Sequence, residues 1–100
     1  VLQMLGYVLL EKFVTKDGKA LTTRFSNYLI PTIMDIPRNV IPLIHEHPDP
    51  VGPYGARGMG EMMVLPVASA VCNAVYDAIG VRFDDFPLTQ ERVLQGMGKI

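Results

Sequence analysis

Glu61 ends a run in which glycine recurs at positions 52, 55, 58 and 60: Gly52-Pro53-Tyr54-Gly55-Ala56-Arg57-Gly58-Met59-Gly60-Glu61. Glycine admits positive φ and lets a ligand or another backbone approach where a Cβ would collide, so the run delivers its closing carboxylate beside a pocket floored by backbone. A carboxylate held there could work as a general base. It could equally serve the helix that follows, where an acidic residue at the N-terminus gains about 0.3–1 kcal/mol from the dipole and the unpaired N–H groups. The order Gly55-x-x-Gly58-x-Gly60 is not the Gly-x-Gly-x-x-Gly of a dinucleotide fold, and no typical strand precedes it. Arg57 could pair with an anionic ligand group or simply with a nearby aspartate. His45-Glu46-His47 would set two imidazoles on one face of a strand. With no third ligand at motif spacing, no metal centre is expected there. Met59, Met62 and Met63 are expected in a core or pocket wall, and Cys72 as a small buried residue.

The elements that must position these residues follow from periodicity and punctuation. Leu2, Leu5 and Leu9 with Met4 and Val8 fit one side of a helix. Asp17-Gly18 between β-capable runs predicts a hairpin, with strands near 9–15 and 20–24. Prolines 31 and 37 rule out a long helix between Phe25 and Arg38. Asn39 to Glu46 is apolar and β-branched, and Pro42 confines it to a sheet edge or a strand start. A helix is expected over 62–79, with Pro66 in its opening turn and Gly80 as its stop. Its polar residues Ser69, Asn73, Tyr76 and Asp77 make one narrow stripe, so burial on most sides is expected. A short strand over 81–86 and a helix capped by Thr89 complete the reading; Arg92 at the third helical position excludes a reciprocal capping box. The fold class is therefore α+β: a small mixed domain with a long buried helix packed on a short antiparallel sheet.

Hydrophobic residues make up 49% of the 100 positions and charged residues 19%, against about 25% charged in a typical soluble protein. That excess implies a piece of a larger polypeptide, residues 1–100 forming one unit that would self-associate if left alone. A net charge of −1 with scattered basic residues excludes an electrostatic footprint for nucleic acid. Charged residues interrupt each apolar run, so no membrane span is expected. No secretory leader is recognisable, and the lone Cys72 suits a reducing compartment, the cytoplasm.

Gly-Pro-Tyr-Gly-Ala-Arg-Gly-Met-Gly-Glu, followed by Asn73-Ala-Val-Tyr-Asp-Ala-Ile-Gly-Val-Arg82 and Pro87-Leu-Thr-Gln-Glu-Arg-Val-Leu94, closely resembles the C-terminal part of the molybdenum-binding subunit of the xanthine dehydrogenase/aldehyde oxidase family. Gln3-Met-Leu-Gly-Tyr7 with Glu11, Asp17-Gly18, Asn27-Tyr-Leu-Ile-Pro-Thr32 and Asp35-Ile-Pro37 follow the family's order, so the resemblance covers nearly the whole chain. The resemblance implies a C-terminal fragment of the molybdopterin-binding domain of an oxidoreductase that hydroxylates an aldehyde or N-heterocycle carbon with water-derived oxygen. Glu61 would be the catalytic base, and Gly58, Met59 and Gly60 would lie against the cofactor. The implied cofactors are molybdenum–molybdopterin in its cytosine dinucleotide form, with [2Fe-2S] clusters and FAD on other domains or subunits. The implied partners are the rest of the subunit, those iron–sulfur and flavin units and a small-molecule substrate. The fragment alone would be inactive and bind no cofactor. Met62 and Met63 stand where many xanthine-oxidising members carry two prolines, and Gln3-Met4-Leu5-Gly6 where Gln-Gly-Leu-Gly is common. The reading from a different class is a non-catalytic interaction module that keeps the fold without the cofactor.

Overall fold

The computed structural model describes all of residues 1–100. Helix α1 spans Leu2–Leu9, strands β1 and β2 are Thr15–Lys16 and Lys19–Ala20, α2 is Leu65–Ile79 and α3 is Gln90–Gly96, with single 3-10 turns at Ile33–Asp35, Pro53–Gly55 and Met62–Val64. α1 stops where the amides of Leu10 and Glu11 both donate to the Gly6 carbonyl, at 2.9 and 2.8 Å. The chain then doubles back over the helix. Glu11 accepts a 2.6 Å hydrogen bond from the Tyr28 hydroxyl, and this bond raises the Tyr28 hydroxyl above its ordinary titration range. Glycine at position 6 is required by that crossing, because a Cβ there would strike Glu11 Oε1 and sit 2.8 Å from Pro31 Cδ.

The core is small and joins the two ends of the chain. Val8 is fully buried and Leu88 is 4% exposed. The Leu88 amide donates to the Val8 carbonyl at 2.6 Å. α3 begins as its sequence foretells, with the Thr89 side chain accepting from the Arg92 amide. Gly96 gives the Phe83 ring room beside α3, since a Cβ there would lie 2.7 Å from the ring.

The α+β class stands, but its internal arrangement differs from the sequence expectation. α2 has no buried residue within this chain, and it packs on α1, not on the sheet. The sheet cannot receive it: β1 and β2 pair for only two residues each, all exposed, in the register Thr15↔Ala20 and Lys16↔Lys19. The expected strands shrink because residues through Leu9 belong to α1 and Leu10–Val14 make no ladder. The expected strands at 39–46 and 81–86 have no ladder partner. Val67, Ala68, Val71, Cys72, Val75 and Ile79, at helical spacing, are the half-covered side of α2, and the opposite side stands in solvent. Cys72 is accordingly half-buried and not enclosed.

The expectation that charged residues interrupt every apolar run needs one correction. Counting its preceding 3-10 turn, the helical stretch Met62–Ile79 has 18 residues and mean hydropathy 1.5, long and apolar enough to pass as a membrane span. Asp77 alone does not interrupt it. Its α-helical part, however, is 15 residues, which at 1.5 Å per residue gives about 22 Å against the roughly 30 Å of a bilayer core. The Cα radius of gyration is 17.5 Å, compared with about 13 Å for a compact 100-residue domain. Apolar surface therefore faces outward along an elongated body.

Candidate functional site

The glycine loop is built in two unlike halves. In the first, Asp49 folds the chain upon itself: its Oδ1 accepts from the amides of Val51 and Gly52, both at 2.8 Å. Those two hydrogen bonds hold its carboxyl below the usual carboxylate range. The Asp49 amide donates to the Gly55 carbonyl at 3.0 Å. Arg57 reaches back across the same turn, its Nε donating to the His47 carbonyl at 2.6 Å and its Nη2 lying 3.0 Å from His47 Nδ1 and 3.8 Å from Asp49 Oδ2. Of the two readings open for Arg57, the nearby aspartate is thus occupied, together with a backbone carbonyl. Asp49 itself escaped the sequence reading. Asp49-Pro50-Val51-Gly52 carried the signal, an Asx residue before proline with glycine three positions on.

Gly52 and Gly55 are dictated by this turn. A Cβ at Gly52 would collide with the Ala56 carbonyl oxygen and lie 3.2 Å from Asp49 Cβ, and Gly55 has φ +76° with Pro48 Cβ 3.0 Å from the position of its missing methyl. Tyr54 between them adopts φ +54°.

The second half obeys a different rule. Gly58 and Gly60 lack positive φ, and a Cβ on either would meet nothing within 4 Å. Nothing inside this chain requires them to be glycine. Glu61 follows at the start of the 3-10 turn that opens the long helix, its backbone at φ −120°, ψ 3° and its carbonyl accepting from the Val64 amide at 3.0 Å. Its side chain makes no cap hydrogen bond, so any helix-terminal role left to it is the charge–dipole one. The carboxylate is exposed and free of ion pairs.

Beside this half lies an open concavity of about 680 Å³, walled by His45, His47, Arg57, Met59, Met62 and Met63 among others. The methionines thus form a wall, as expected. Glu61 is not among the lining residues, whereas Gly55 is. His45 and His47 stand with ring centroids 6.4 Å apart. No group of three or more His, Cys, Asp or Glu side chains comes together.

No family model matches the chain. Individual proteins do. It is 34% identical to the 6-hydroxypseudooxynicotine dehydrogenase complex subunit gamma of Paenarthrobacter nicotinovorans, over 97% of this chain and 13% of that protein. It is 32% identical to the aldehyde oxidoreductase molybdenum-binding subunit PaoC of Escherichia coli (strain K12), over 90% of this chain and 13% of the other. The crystal structure of quinoline 2-oxidoreductase from Pseudomonas putida 86 superimposes with a TM-score of 0.86 and 33% identity, covering 98% of this chain and 13% of that one. The chain belongs with the molybdenum-binding subunits of the xanthine dehydrogenase/aldehyde oxidase family.

Membership in the xanthine dehydrogenase/aldehyde oxidase family explains the outward-facing surfaces. The chain spans about an eighth of the length of these relatives, so most of what would cover α2 and the concavity lies in other parts of such a subunit. The α+β arrangement seen here is a matching portion of a larger oxidoreductase chain.

Proposed function

We propose that this chain supplies the catalytic base and part of the cofactor surface of a molybdenum hydroxylase acting on an aldehyde or N-heterocycle. The observation that supports this reading is the pairing of an unpartnered carboxylate, Glu61, with two glycines whose Cβ space is empty within the chain. Gly58 and Gly60 leave room for a large group to approach the backbone, and the exposed thioether of Met59 offers it an adaptable apolar contact. The open backbone at Gly58 and Gly60 suits a molybdenum–pterin cofactor, which would be held here by backbone and apolar contacts rather than by a side-chain metal ligand.

When bound, the group supplies the redox and Lewis-acid chemistry for hydroxylating a carbon next to a heteroatom or carbonyl. Glu61 takes up, on a carboxylate oxygen, the proton released as the water-derived oxygen attacks. For this it must come within hydrogen-bond reach, roughly 2.6–3.2 Å, of that oxygen. The Arg57–Asp49 turn fixes the stem from which the second half of the loop departs. With one cysteine, this chain cannot hold a [2Fe-2S] cluster, which takes four ligands; iron–sulfur and flavin units belong to other segments or subunits.

Glu61→Gln in the complete subunit keeps shape and removes the base. Turnover is expected to fall by about 10²–10⁴, the share general acid–base catalysis supplies, while molybdenum and pterin content stay at the parent level. A variant with its cofactor and near-parent turnover would reduce Glu61 to a surface carboxylate.

A further inference from the structure

The segment Asn39 to Glu46 carries apolar β-branched residues, yet no backbone N–H or carbonyl between Ile36 and Glu46 finds a hydrogen-bond partner in the chain. Its side chains are bare on both sides. Val40 is 61% and Ile41 78% exposed, and Leu43 and Ile44 are each 90% exposed. Water can hydrate these peptide groups, but the large apolar side chains beside them gain nothing until they are covered, and a strand partner would satisfy the backbone as it covers them.

We infer that residues 40–45 form a sheet-edge strand that pairs with a strand from the remaining polypeptide of the same subunit. Three observations select this occupant. The superposition covers 98% of this chain but only 13% of the related crystal chain, so the greater part of such a subunit lies outside these residues. Next, Val40 and Ile44 alternate with Ile41 and Leu43, so apolar residues occupy both faces of the strand. Strands apolar on both faces are covered on both in an interior sheet, whereas an edge joined to a second copy at a surface calls for one polar face. Finally, Pro42 fixes which edge is used. In a strand, the N–H and C=O of one residue point to the same side and alternate along the chain. Pro42 lacks a donor on the side shared with Val40 and Ile44, which leaves Ile41, Leu43 and His45 as the pairing side.

Hydrogen–deuterium exchange of the complete, unmodified subunit, resolved to single residues by fragmentation, tests this directly. The amides of Ile41, Leu43 and His45 are expected to exchange at least about tenfold more slowly than those of Val40 and Ile44. Equal and rapid exchange at all five positions would overturn the pairing. Equal protection of both sets would overturn the assignment to an edge. Protection that grows with subunit concentration would hand the edge to a second copy and overturn the intramolecular partner.

Discussion

Alanine in place of each loop glycine should divide the four positions into two classes that no helix- or turn-based account would separate. At Gly52 the added methyl collides with a backbone oxygen, that of Ala56, and presses on Asp49 Cβ at 3.2 Å. Neither neighbour can swing aside as a side-chain tip would, because both belong to the turn held by Asp49. Overpacking of this kind costs about 1–3 kcal/mol. A domain of 150–250 residues loses about 2–4 °C of thermal midpoint per kcal/mol. At Gly58 and Gly60 the methyl meets nothing, and φ is not positive. There the main effect is on the unfolded chain, whose reduced freedom stabilises by about 0.4–1 kcal/mol. The assay compares thermal midpoints of the complete subunit prepared without cofactor and, separately, molybdenum content after loading. Gly52→Ala should melt early, by less per kcal/mol than a 150–250-residue domain would, because the complete subunit is about eight times the length of this chain. Gly58→Ala and Gly60→Ala should melt at or slightly above the parent, yet Gly60→Ala should load less molybdenum, since its methyl occupies space proposed for the cofactor. Early melting of Gly60→Ala without cofactor would show that the subunit's own polypeptide fills that position and would refute its reservation for the cofactor. Parent-level stability together with full loading would refute its reservation for the cofactor.

The Asp49 turn should respond to pH. Because its folded carboxyl titrates below the ordinary value, its contribution is present above about pH 4, the unfolded carboxylate value, and is lost as pH falls through the depressed folded one. Protease cleavage within 47–57 should rise only in that acid range, and Asp49→Asn, which keeps an acceptor but not the charge, should abolish the rise. The 100-residue chain alone should reduce no dye in the presence of an aldehyde or N-heterocycle and should retain no molybdenum; substrate-dependent turnover would contradict this. The same chain should scatter light as oligomers and bind a hydrophobic dye, given exposed residues such as Leu43, Ile44 and Leu65; a clean monomer at high concentration would count against it.

Local signals in the sequence are legible where the governing contacts are themselves local. Thr89 caps α3, and Gly80 ends α2 in the left-handed conformation at φ +70°. Asp17-Gly18 turns the hairpin with both residues at positive φ. Signals that depend on what lies across the structure could not be read this way. The apolar circumference of α2 says that it is to be covered, without saying that the covering lies mostly beyond these residues. Asn39 to Glu46 has strand chemistry but no strand partner. In the site, the glycine spacing and Glu61 were legible as a loop delivering an acid. Which glycines the turn needs and which it leaves free depends on Ala56, Pro48 and Asp49 meeting in space, and no spacing rule encodes that.

The bond between the Leu88 amide and the Val8 carbonyl has a consequence for the order in which this region takes shape during synthesis. The ribosome must add eighty residues after Val8 before its core partner exists, whereas Asp49, Gly52, Gly55 and Arg57 are all present within nine residues of one another. Loop closures this short are rapid and entropically cheap compared with an eighty-residue separation. The turn that carries the glycine run can therefore set early, as a finished local unit, while α1 waits for the far end of the chain to arrive and lock the frame around it.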